Sequence, residues 1–175
     1  MMRLFLGLSI VLIGLGCGRS PSSTPEDYTS AAGGFKVRFP GKPKESETPL
    51  PPPLTGTAKL LTAEVNGVAY TANFMDFGVP IGPDQQSKSL NGARDGAVAN
   101  TKGKLVSEKS ISLGANQPGR EIVINAGVPQ GSIVIRQRFF LAGSRLYQVL
   151  VVATSEARTR DEMANNFLES FKLTK

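Results

Sequence analysis

Hydrophobic residues recur along this chain in three rhythms: every second position, every third or fourth, and one unbroken run at the start. The clearest alternation brackets Asn66-Gly67, with Leu61, Ala63 and Val65 before it and Val68, Tyr70, Ala72 and Phe74 after it. A period of two predicts strands. Asn-Gly is the pair a two-residue hairpin turn prefers, because both central residues take positive φ. Folding about that turn puts the seven apolar side chains on one face and Thr62, Glu64, Thr71 and Asn73 on the other.

The same alternation marks Phe35-Lys36-Val37-Arg38-Phe39, which Pro40-Gly41 ends. Further strands are expected over 105–113, 120–126, 132–141 and 145–153, separated by short Gly-containing loops. Such spacing predicts an antiparallel meander. The last two strands are apolar at nearly every position, as central strands covered on both sides are.

Two segments switch to the helical period. Leu90, Ala93, Ala97 and Val98 share one face of a helix expected over 85–100, with Asp84 as its cap and with Gly92 and Gly96 weakening it. Met163, Phe167 and Phe171 form the apolar stripe of a last helix, introduced by Thr159-Arg160-Asp161-Glu162 in the form of a capping box. Residues 41–58 hold five prolines, including Pro51-Pro52-Pro53, and predict a stiff, extended loop. Residues 19–33 are rich in Ser, Thr, Pro and Gly and predict a flexible tether.

The unbroken run is the start of the chain. Arg3 precedes an apolar stretch from Leu4 to Leu15, shorter than the roughly 20 residues a helix needs to span a bilayer. Small residues then surround Cys17, the single cysteine. Residues 1–18 therefore read as an export signal. Gly16-Cys17 resembles the junction at which bacterial lipoproteins are cleaved and acylated on the cysteine, whereas Gly14 and Gly16 also suit ordinary signal cleavage. Lipidation of Cys17 is the expected outcome, giving a membrane anchor through the N-terminal lipid and placing the protein in a bacterial cell envelope, facing the periplasm.

Composition narrows the chemistry. The chain has no histidine, which removes the usual general base near neutral pH and with it Ser-His-Asp and Cys-His systems. No zinc set and no phosphate-binding loop can be assembled, so no metal or cofactor is expected. Net charge is +6, but the basic residues are scattered and not interleaved with aromatics, so no nucleic-acid partner is expected. Asp76, Asp84 and Asp95 flank the hairpin-to-helix region and could gather as a carboxylate pair or a Ca²⁺ site. Arg120 and Glu121, where a turn enters a strand, are the candidate ligand or partner contacts, with a strand-start ion pair as the plainer reading.

Three short motifs carry a resemblance. Gly34 to Pro40 reads Gly-Phe-x-Val-x-Phe-Pro, Arg145 to Val149 reads Arg-Leu-Tyr-x-Val, and Phe167 to Phe171 reads Phe-x-x-Ser-Phe. In that order, around a hairpin, a helix and a meander, the chain resembles the PsbP-like superfamily over about residues 33–173. The resemblance implies an α+β fold, a mostly antiparallel sheet of about six to seven strands with helices packed on its faces. It implies one domain over 34–175 and a binding or assembly role with an envelope protein partner. It brings no catalytic residues. The expected function is therefore a non-catalytic, membrane-anchored binding module. The alternatives are a periplasmic small-ligand carrier, with an apolar cavity between sheet and terminal helix, and a carboxylate-dependent hydrolase, with two or more carboxylates in one pocket.

Overall fold

The Asn66-Gly67 turn has φ of 52° and 71° at its two central residues, the conformation that the hairpin requires. Its strands pair Leu61 with Ala72, Ala63 with Tyr70 and Val65 with Val68, so the expected apolar face forms in the expected register. The computed structural model containing it describes residues 24–49 and 57–174. The signal 1–18 with Cys17, the first part of the tether and the proline run 51–53 lie outside the described residues.

In chain order the elements are β1 (Glu26–Ser30), β2 (Phe35–Phe39), β3 (Lys44–Pro49), β4 (Thr57–Val65), β5 (Val68–Asp76), α1 (Pro83–Thr101), β6 (Lys104–Leu113), β7 (Gln117–Val128), β8 (Gly131–Ala142), β9 (Arg145–Ala153), α2 (Glu156–Thr159), α3 (Glu162–Ser170) and β10 (Lys172–Leu173). Seven strands form one antiparallel sheet in the order β3-β4-β5-β9-β8-β7-β6, and three form a smaller one in the order β1-β2-β10. The apolar strands β8 and β9 lie inside the main sheet, as their composition predicts.

Alternate residues of β5, β8 and β9 serve two cores. On one face Ile122, Ile124, Ile135, Phe139, Leu146 and Leu150 meet Leu90 and Ala93 of α1. On the other, Tyr70, Phe140, Tyr147 and Val149 meet Phe35, Val37 and Phe39 of β2 and Ala164, Phe167 and Leu168 of α3. Helices thus pack on both faces, but the second face is covered by the small sheet as well as by α3. Close approach is needed at Gly119 in β7, where a Cβ would lie 2.3 Å from the Phe139 carbonyl oxygen.

The three motifs behind the family resemblance are packing partners. Arg145 and Tyr147 both donate to the Gly33 carbonyl, at 3.1 and 3.0 Å. Phe35 lies against Phe171 at 5.3 Å between ring centroids and against Tyr147 at 6.1 Å. The Ser170 hydroxyl accepts the Arg38 amide at 2.8 Å. One side-chain knot therefore ties the first strands, the last long strand and the terminal helix together.

Four expectations need correction. The segment 19–33, read as a tether, contributes β1, whose Glu26–Ser30 pair with Phe39–Phe35. Its exposed polar side chains hide a strand held by main-chain bonds. The loop read over 41–58 contains β3 and the start of β4; β3 is a polar edge strand, where charge is ordinary. Gly82, with Pro83 next to it, begins α1, and Asp84 sits within its first turn without capping it. At α3 the cap is Asp161, whose Oδ1 accepts the Ala164 amide at 2.8 Å, while the Thr159 hydroxyl donates to the Glu156 carbonyl. Thr159 is spent ending α2, so the capping motif starts two residues later.

Candidate functional site

The last-helix stripe splits in use. Phe167 turns into the aromatic core at 5.1 Å from Phe39 and 5.4 Å from Tyr70. Met163, one turn earlier, is half-buried and forms a wall of a groove between α3 and the β1–β2 pair. This groove has a volume of about 850 Å³. Phe39 and Phe167 form its floor, Pro25, Pro40 and Met163 its apolar walls, and Asp27, Arg38, Asp161 and Glu162 its charged rim.

The rim charges are partly committed. Asp27 and Arg38 face each other across the strand pair in a two-point contact, Nε to Oδ1 at 2.6 Å and Nη2 to Oδ2 at 3.1 Å. That guanidinium holds the Asp27 carboxyl below its usual range. Asp161 uses one oxygen to cap α3. Three carboxylates thus line one concavity, the arrangement on which the hydrolase alternative turned. Two of them already have structural work. A glycosidase pair needs one acid kept protonated beside a second, ionised one, and Asp27, held ionised by Arg38, is unsuited to the first of these roles.

The groove is absent from the sequence reading because β1 is. Arg38 reads as the polar side of an alternating strand, and only the pairing of Asp27 with Arg38 turns it into a rim.

The two site residues that the sequence singled out are not brought together. Arg120 leaves β7 on the α1 face and joins Arg94 around Glu108, with Arg94 Nη1 2.9 Å from Glu108 Oε2. Burial would raise the Glu108 carboxyl, but the two guanidinium groups outweigh it and lower it. Glu121 leaves on the α3 face and is 3% exposed. Its Oε2 accepts from Arg136 Nη2 at 3.0 Å and Arg138 Nε at 2.6 Å, and its Oε1 faces Lys109 Nζ at 3.1 Å. Burial would raise this carboxyl too, yet the three donors hold it at about 2. Arg136 continues to the Thr159 carbonyl and Asn165, and Arg138 to the Leu168 carbonyl, so Glu121 anchors α2 and α3 to the sheet.

Asp76, Asp84 and Asp95 do not gather either. Asp76 accepts from Ser144, Arg145 and the Gly78 amide, which bring it down to about 2. Asp84 and Asp95 are eleven residues apart on α1, roughly 16 Å along its axis, and Asp95 pairs with Arg94. Among the described residues no three His, Cys, Asp or Glu side chains converge as metal ligands. Among them, too, no helix is long and apolar enough to cross a membrane. The space between the main sheet and α3, where the carrier alternative needs a cavity, is filled by aromatic rings.

A seven-stranded antiparallel sheet with α1 on one face and a small sheet plus α3 on the other defines an α+β protein. The particular fold is PsbP-like. The chain superposes on the solution structure of cyanobacterial PsbP (CyanoP) from Synechocystis with a TM-score of 0.55 at 11% identity, over 90% of this chain and 97% of that one. A Pseudomonas aeruginosa protein of unknown function superposes with a TM-score of 0.42 at 12% identity, over 77% of this chain and 85% of that one. No family model and no curated protein sequence matches the chain.

Proposed function

We propose that the chain is an exported, non-catalytic binding module, held at a bacterial membrane by acylated Cys17, and that the groove between α3 and β1–β2 is its binding surface. The observation that carries this reading is the groove itself. It combines an apolar aromatic floor with a charged rim, in which Asp27 pairs with Arg38 and Asp161 caps α3. Recognition sites are built this way, mostly apolar with a few placed polar groups, and ligand pockets of roughly 300–1,000 Å³ are usual. The likeness to a PsbP-like fold supports the architecture; the role rests on the groove and on the leader.

The placement of the groove fits an anchored protein. Pro25 forms part of its wall and lies eight positions after Cys17. An extended chain of that length spans at most about 29 Å, which would keep the groove close to the membrane surface. A single acyl chain holds a protein only marginally, whereas the several chains of a lipidated cysteine anchor it stably.

Membrane fractionation tests the anchor: Cys17→Ala is expected to move the protein from the membrane to the soluble fraction. A photo-crosslinking side chain at Asn166, an exposed residue of the groove, tests the surface. It is expected to give a discrete adduct in host membranes that the same probe at Glu64, exposed on β4, does not give. Unchanged membrane retention, or identical adduct patterns from both positions, refutes the reading.

A further inference from the structure

The rim of the groove carries a charge opposite to that of the molecule. Its ionisable members are Asp27, Arg38, Asp161 and Glu162, a net charge of −2 on a chain whose net charge is +6. Arg38 is neutralised by Asp27, so the surplus belongs to Asp161 and Glu162. The amino terminus of α3 offsets about half a charge, and the surplus survives it. Of the neighbouring cations, Arg160 pairs with Glu156, Arg158 is directed to the Asn66 carbonyl, and Lys36 acts on the already paired Asp27. Beneath this acidic lip lies an apolar floor of Phe39 and Phe167, bounded by Met163, whose flexible thioether adapts to different shapes.

We infer that the groove takes an extended peptide segment in which a lysine or arginine stands beside an apolar side chain. The apolar group seats over Phe39 and Phe167, and the cation meets Glu162 and the free oxygen of Asp161. This rests on the groove being the binding surface, as proposed above, and adds the chemistry of its occupant. A general electrostatic attraction cannot imitate it, because a chain of charge +6 favours acidic peptides.

The test uses the full chain purified in a neutral detergent and two fluorescent octapeptides of equal Leu and Phe content, one with four lysines and one with four glutamates. Anisotropy titration, corrected against empty micelles, is expected to show tighter binding of the lysine peptide. Glu162→Lys is expected to weaken it by about 1.5-fold to fivefold, the range for exposed ion pairs. Asn166→Trp, which fills the groove, is expected to abolish it, and Glu64→Lys to leave it unchanged. Preference for the glutamate peptide, equal binding of both, or an unchanged affinity in Glu162→Lys or Asn166→Trp overturns the inference. If adducts still form from Asn166 in host membranes, such a result rejects the cationic occupant and leaves the groove as the binding surface.

Discussion

Arg120 and Glu121 are neighbours in β7, and their side chains enter two unlike ion networks on opposite faces of the sheet. Around Glu108, two arginines and one carboxylate meet near the surface, with side-chain exposures of 16–24%. Around Glu121, a carboxylate 3% exposed receives two arginines and a lysine, and the arginines reach on to carbonyls of α2 and α3. The outer network joins α1 to the β6–β7 edge, where solvent screens it. The inner one fixes the cover of the aromatic core, where removing a partner strands charge out of water. The surrounding cores differ as well. The α3 side is rich in interlocked rings, whereas the α1 side is mostly aliphatic, with Phe139 as its one fully buried ring and with a buried Gln137–Gln148 pair bonded at 2.8 Å. One strand thus supplies a partly solvated contact and a buried one at consecutive positions.

Four measurements can break or sharpen this contrast, each by denaturant unfolding with an unchanged slope as the sign of a true stability effect. Phe167→Ala is expected to cost about 3–5 kcal/mol. Leu90→Ala should cost less, because α1 lies at the surface and can settle; equal losses would erase the difference between the cores. Glu121→Ala should cost about 3–5 kcal/mol, since the buried Arg136 loses its carboxylate, against about 1 kcal/mol or less for Glu108→Ala.

The pH dependence follows from the same pair. Glu121 titrates at about 2 in the folded chain against an ordinary 4.5, so the unfolded chain binds its proton first. Its contribution is complete above pH 4.5 and is lost as pH falls from there toward 2, on the order of 3 kcal/mol in total. Asp76 shifts in the same direction, but its side chain is 37% exposed and adds little. Glu121→Gln should flatten the acid limb of the stability profile, and an unaltered limb would contradict the network. The smallest effect belongs to the double replacement of the glutamine pair. Gln137→Leu alone should cost about 1–3 kcal/mol by stranding Gln148, while the double replacement with Gln148→Leu should come near zero.

Legibility in the sequence followed burial. The Asn66-Gly67 hairpin, β8, β9 and α1 were readable because one or both of their faces are dry, which forces a periodic pattern. The polar strands β1 and β3 were not, because they are held by main-chain pairing and need no pattern. The groove went unseen for the same reason: one wall is β1. Arg120 and Glu121, read as a turn entering a strand and as a possible ion pair, lie inside β7, which begins at Gln117, and period two sends their adjacent side chains to opposite faces. Their partners on α1, β6 and β8 lie 12 to 26 residues away, beyond any local signal.

The two ends of the strand order are β3 and β6. The first presents Lys44, Glu45 and Glu47 to solvent; the second carries Lys104 and Lys109 and is kinked by an irregularity between Leu105 and Ser107, where Val106 is thrown outward. Open ladders of this length would recruit a foreign strand wherever molecules are packed closely. Here an approaching copy meets charged side chains and a broken register instead, both of which disfavour edge-to-edge pairing.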